Sequence, residues 1–146
     1  MKRGMPAVFE HRLTVTTDEV DWMGHVNNVS YFSWLQDAAV AHSSAQGWPG
    51  RRYREIGQAW VARTHTIEYL KPALSGDELI VQTWVGTLTR VTSERRYRVV
   101  RPSDQTILAT AMTRWAFVKI LTGMPCRIPQ DVSTAFQIVD DPEQHL

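Results

Sequence analysis

Apolar and polar positions change period twice along the chain, and the changes mark off one helical stretch among strands. Phe9 to Thr17 is rich in strand-favouring residues and alternates loosely, with Leu13 and Val15 on one face. Thr17 to Asn28 is polar, with a glycine and two adjacent asparagines, and predicts a loop. From Val29 to Gln46 the period lengthens. Tyr31, Leu35, Ala38, His42 and Ala45 recur every three or four residues, and Trp34 and Ala39 widen the stripe, which predicts an amphipathic helix. Asn27 or Asn28 can cap its start, because a short side-chain oxygen accepts a free N–H of the first turn. Gly47 and Trp48-Pro49-Gly50 end it. Ala38, Ala39, Ala41 and Ala45 are small enough to let a sheet approach closely.

After a loop through Arg54, a period of two takes over. Ala59 to Leu70 sets Val61, Ile67 and Tyr69 against Trp60, Ala62 and Leu70. Pro72 and Ser75-Gly76-Asp77 predict a turn. Glu78 to Thr89 sets Leu79, Val81 and Val85 against Ile80, Trp84 and Leu88. Thr92 to Val100 and Thr106 to Ile120 are further strands, separated by the polar turn Arg101 to Gln105. Pro129 can open a short helix through Phe136, and the acidic tail from Asp140 is expected to fray. Short connections imply antiparallel pairs. The expectation is an α+β domain over 1–146 with its core in about 9–128: one long helix on an antiparallel sheet of about five strands. Such long strands leave edges to cover, which a homodimer continuing the sheet, or a homotetramer, would do.

Composition narrows this picture. A chain of 146 residues suits one core, and a net charge of +1 offers no field for nucleic acid or an anionic membrane. Arginines do cluster, at Arg51, Arg52 and Arg54 and at Arg95, Arg96 and Arg98. The second set reads as a solvated strand face or edge, or else as a landing site for ligand phosphates. The single cysteine, Cys126, excludes an intrachain disulfide, and no Cys/His cluster suggests zinc. No signal-peptide pattern or bilayer-long apolar run occurs. A cytoplasmic protein without metal or cofactor is expected.

Asp21 is the residue placed best for chemistry. A loop aspartate is ordinarily a turn residue, but this one precedes a helix start, where unpaired N–H groups and a partial positive charge can hold a developing oxyanion. Nucleophile or base plus oxyanion donor are the two parts that acyl transfer needs. No Gly-X-Ser-X-Gly elbow, glycine-rich phosphate loop or dinucleotide fingerprint competes.

The run Asp21-Trp22-Met23-Gly24-His25-Val26-Asn27-Asn28-Val29-Ser30-Tyr31 resembles the signature of the 4-hydroxybenzoyl-CoA thioesterase-like branch of the hotdog superfamily. Ile67 to Leu79 resembles the family's second-strand exit, turn and third-strand entry, and element order agrees from about Phe9 to Ile128. The resemblance implies hydrolysis of an acyl-CoA or acyl carrier protein thioester in a pocket between subunits. Asp21 would be nucleophile or base toward water, and the N–H near Asn28 would polarise the carbonyl. His25 would orient Asp21 or a water, or else fix the loop. Gly24, Tyr31 and Trp34 would line the substrate site, although Tyr31, Trp34 and Leu35 also fit a buried stripe. The plant acyl-ACP enzymes carry an asparagine where Met23 stands, so a relay through that amide has no counterpart here.

Alternatives stay open. Asp37, on the helix, is a second candidate carboxylate. Trp60, Trp84 and Trp115 either fill the core or shape a pocket, the core being the simpler role. The same fold also serves enoyl-thioester hydratases and non-catalytic acyl-CoA-binding modules, and Asp21 with His25 gives too few ligands for a metal site.

Overall fold

The computed structural model describes residues 7–139. The expectation for the tail from Asp140 therefore lies outside the described residues. Strand β1 is Phe9–Thr14; helix α1, Asn28–Ala45; helix α2, Gly50–Ile56; strands β2 to β5, Gln58–Tyr69, Glu78–Leu88, Thr92–Arg101 and Thr106–Lys119; and a short helix α3, Gln130–Ser133. The strands form one antiparallel sheet in the order β1-β3-β4-β5-β2.

Helix α1 buries Tyr31, Trp34, Leu35, Ala38, Ala39 and His42, the three-to-four stripe of the sequence. Against it lie Leu79 and Val81 of β3, Tyr97 and Val99 of β4 and Ala109 of β5, forming the larger core cluster. A second cluster, built on Phe117, Trp48, Tyr53 and Phe136, fills the end of the sheet beneath the C-terminal half of α1.

Three register shifts make this sheet irregular. They fall between Ala62 and Thr64 in β2, Val85 and Thr87 in β3, and Val99 and Val100 in the β4–β5 ladder. A bulge adds one residue, raises the twist and changes which residues face inward. Strict alternation therefore misplaces side chains beyond each shift. Trp60 pairs with Phe117, Ala62 with Trp115, Ile67 with Ala111 and Tyr69 with Ala109, all odd positions of β5. Trp60, Ala62, Ile67 and Tyr69 thus share the helix face, not opposite faces. Leu88 likewise joins Val85, because Gly86 absorbs the shift in β3.

Two further expectations are corrected. The segment through Arg54 is not simply a loop: α2 occupies Gly50–Ile56 and stops at Gly57, which takes the left-handed φ of 70° that favours glycine. The arginines of β4 are not one solvated set either. Strand β4 is the middle strand, and in-register partners Val85 and Thr113 put Arg95 on the helix face, where it is only 7% exposed. Arg96 and Arg98 lie on the opposite face.

Candidate active site

The loop before α1 is held by the residues that form it. Asp21 Oδ1 accepts the N–H groups of Met23 (2.9 Å) and His25 (3.1 Å). The Asp21 N–H donates to the His25 carbonyl (2.7 Å), the Gly24 N–H donates back to the Asp21 carbonyl (2.9 Å), and Gly24 takes a φ of 80°. This tight turn needs glycine at that corner. The Val26 N–H then donates to Ala73 O (3.0 Å), tying the loop to the β2–β3 connection. His25 takes part through its backbone; no hydrogen bond of its side chain occurs among the described residues.

Asn27, not Asn28, caps α1: its Oδ1 accepts from Ser30 N–H (2.8 Å), and its Nδ2 and backbone N–H both donate to Glu19 O (3.0 and 2.9 Å). With Ser30 satisfied, the N–H groups of Asn28 and Val29 remain without partners among the described residues, as the first turn of a helix leaves them. They emerge at the exposed Asn28, beside the loop that carries Asp21. Trp34 locks the arrangement from below. Its Nε1–H donates to Glu19 Oε2 (2.9 Å), and its ring lies 4.9 Å from that of Tyr31, which meets Tyr69 at 5.0 Å. Tyr31 and Trp34 are thus buried beneath the loop, while Asp21, Trp22 and Val29 are open, Trp22 at 91% and Val29 at 74% exposure. Burial raises the Tyr31 phenol above its usual titration range.

The sequence did not locate the main apolar cleft. It holds about 300 Å³ and opens between the C-terminal half of α1, α2 and the helix face of the sheet, with Val40, Tyr53, Ala59, Trp60, Leu88 and Trp115 among its walls. Trp60 and Trp115 therefore line a pocket, whereas Trp84 is buried on the far face with Val8 and Val139. A second hollow runs beside it along α1, where Asp37, Phe32 and Gln36 meet His65 and Thr113 of the β2–β5 ladder; His65 Nδ1 is 2.9 Å from Thr113 Oγ1. Gln36 lines both. Asp21 and the other loop residues line neither.

Beneath the cleft, Arg95 Nη1 donates to His42 Nδ1 (2.9 Å) and Thr83 Oγ1 (3.1 Å). The imidazole is therefore the neutral Nε2–H tautomer. His42 is 1% exposed and stacks on Phe9. Burial and then the Arg95 charge hold it down at about 3. The unfolded chain takes up a proton near pH 6.5 that the folded chain refuses until about pH 3, so this residue's contribution to stability falls on acidification through that window, by up to ~1.4 kcal/mol per pH unit. His42→Asn keeps an acceptor for Arg95 without a titrating ring. In urea unfolding at pH 6.5 and pH 5, the parent should lose on the order of 2 kcal/mol more than this variant; equal losses would show that His42 protonates freely in the folded state.

Similarity to known proteins agrees with this architecture. Residues 15–136 match the family model described as the thioesterase-like superfamily. A hypothetical protein of Aquifex aeolicus superposes with a TM-score of 0.82 at 27% identity, over 88% of this chain and 99% of its own. The 1,4-dihydroxy-2-naphthoyl-CoA thioesterase of Synechocystis gives 0.82 at 20% identity, over 92% and 99%. A hypothetical protein of Staphylococcus aureus in complex with CoA gives 0.84 at 16%, over 99% and 95%. With its five-stranded antiparallel sheet wrapped on one long helix, the chain belongs to the thioesterase-like superfamily and is a hotdog-fold thioester hydrolase.

Proposed function

We propose that the protein hydrolyses acyl-CoA thioesters at a site shared by two copies of the chain: Asp21 and the start of α1 from one, the cleft from the other. One observation carries this reading. The carboxylate, with helix N–H donors beside it that no described residue uses, and the cleft able to take an acyl group lie at opposite ends of α1, along β2, an edge strand among the described residues. Tyr31 and Phe32 lie against Tyr69 and His65 near the end of β2, while Val40 and Ser43 line the cleft with Trp60 near its start. Isologous pairing of two antiparallel β2 edges sets the Tyr69 end of one beside the Gln58 end of the other. The Asp21 loop of one chain then approaches the cleft of its partner. Such pairing also covers a twelve-residue strand edge and exposed apolar side chains on or beside it, Val61 and Val40. A CoA thioester is favoured by the naphthoyl-CoA thioesterase and the CoA complex among the similar structures.

At such a site the thioester oxygen would sit on the Asn28 and Val29 N–H groups, whose preorganised dipoles stabilise the charge that develops there. Asp21 then attacks the carbonyl carbon, expelling CoA thiolate and leaving a mixed anhydride for water to cleave, or takes the proton of a water that attacks directly. Its Oδ1 is occupied by the loop, so the other oxygen performs either step. His25 and Gly24 hold the turn that aims it. Thiol release from aromatic, short, medium and long acyl-CoAs tests the activity; no release from any of them would end this reading, and binding without release would mark a non-catalytic module. A second reading, Asp37 as the acting carboxylate, is favoured by its place in the hollow with His65. Asp37→Asn in the same assay separates the two, since the proposal requires that variant to keep the greater part of its turnover.

A further inference from the structure

The cleft has one feature that a pocket for a plain acyl chain does not need. Its charged lining residues, among the described residues, are two arginines, Arg54 and Arg95, with no carboxylate beside them. Arg54 is exposed, but Arg95 is more than nine-tenths buried. Its hydrogen-bonding partners, His42 and Thr83, are both neutral, and among the described residues it makes no ion pair. The nearest aromatic support, Phe136, has its ring centre 5.9 Å from the guanidinium carbon.

Burying a cation without a counter-charge costs several kcal/mol, which is why buried charges are nearly always paired. Several other polar groups of the cleft wall are already occupied. Trp60 Nε1–H donates to Tyr53 Oη (3.2 Å), Tyr53 Oη bonds Ser43 Oγ (2.9 Å), and Ser43 donates to Trp48 O (2.7 Å). Ser93 Oγ donates to Thr87 O (2.9 Å). Both partners of Arg95 are taken up by Nη1, so Nε and Nη2 keep donors that no described residue uses. These are the groups with which guanidinium grips a carboxylate in two parallel hydrogen bonds.

We infer that the cleft selects acyl groups whose far end carries a carboxylate, which pairs with Arg95 while the methylene chain lies against Trp60, Trp115, Val85 and Leu88. The inference rests on the shared-site reading above and names the substrate class for it. A hydrated nucleotide phosphate is the poorer match: the walls are largely apolar, and about 300 Å³ lies at the lower limit of small-ligand pockets.

The test compares glutaryl-, adipoyl- and suberoyl-CoA with the unsubstituted acyl-CoAs of equal carbon number. For at least one pair the parent protein should favour the carboxylate by about ten- to hundredfold in kcat/KM, the range of a charge-assisted hydrogen bond. Arg95→Met should bring that ratio to one or below, and Arg95→Lys should keep part of it. A parental ratio of one or less for every pair, or a ratio unchanged in Arg95→Met, overturns the inference. Should Arg95→Met fail to fold, the parental ratios and Arg95→Lys decide. If the parent hydrolyses none of these thioesters, the hydrolase reading has failed instead, and free adipate against hexanoate decides the Arg95 site alone. Adipate should then raise the thermal midpoint of the parent where hexanoate does not, and equal effects of the two acids would contradict the site.

Discussion

Asp21→Asn is expected to lower kcat by about 10²- to 10⁴-fold, the range for loss of a positioned base, with little change in stability. The structure explains why the two effects separate. The amide oxygen of asparagine can still accept the Met23 and His25 N–H groups that Oδ1 holds, so the turn persists. What is lost is the negative charge and basicity of the second oxygen. Asp21→Ala removes both functions and should also destabilise the loop, by about 1 kcal/mol for each hydrogen bond. Steady-state thiol release and urea unfolding on the two variants distinguish a reacting carboxylate from a structural one. A purely structural Asp21 would leave the asparagine variant near parental activity and impair only the alanine variant.

Trp34→Ala is expected to cost about 3–5 kcal/mol, a large share of the 5–15 kcal/mol typical of a whole domain. Trp34 is 4% exposed, packs on Tyr31 and holds Glu19. Glu19 in turn receives the Thr16 N–H (2.9 Å) and, through its carbonyl, both donors of the capping residue Asn27. The tryptophan therefore anchors the turn, the cap and the Asp21 loop as one unit. The thermal midpoint should fall by roughly 10 °C, and that of Trp34→Phe, which keeps one aromatic ring but loses the pyrrole ring and its N–H donor, should fall less. A variant with parental stability but a raised KM would make Trp34 a wall of the substrate site instead.

These two residues show what the sequence conveys and where it stops. The stripe from Tyr31 to His42 located α1 to within a residue at each end, because core burial and helical period are one signal. The run from Asp21 to Asn28 was legible as a loop and cap, since turn chemistry is local: a glycine for the corner and an asparagine, Asn27 or Asn28, for an N–H of the first turn. Period-two alternation was reliable only up to each bulge. Nothing local announces that Arg63 and Gly86 are the residues absorbing the shift, so strict alternation puts Trp60 and Leu88 on the wrong face. Helix α2 was hidden by its arginines, although Pro49 before it, the buried Tyr53 within it and Gly57 after it are its signals. Of the cleft, only the alternative that Trp60 and Trp115 shape a pocket was legible. Its walls come from α1, α2 and four strands, and Arg95 gains meaning only from the neutral groups that surround it.

Complementation between two inactive variants tests the central claim, a catalytic loop and an acyl cleft supplied by different chains. Asp21→Asn removes the chemistry and leaves the cleft intact. Leu88→Trp fills the cleft from β3, away from the β2 edge, and leaves Asp21 intact. The two proteins, each folded and each inactive alone, are unfolded together in equal amounts, refolded and assayed. Random pairing makes half of the dimers mixed, and each mixed dimer holds one intact site of its two, so about one quarter of parental activity should return. A mixture no more active than its components would place Asp21 and the cleft it serves within a single chain and contradict the account.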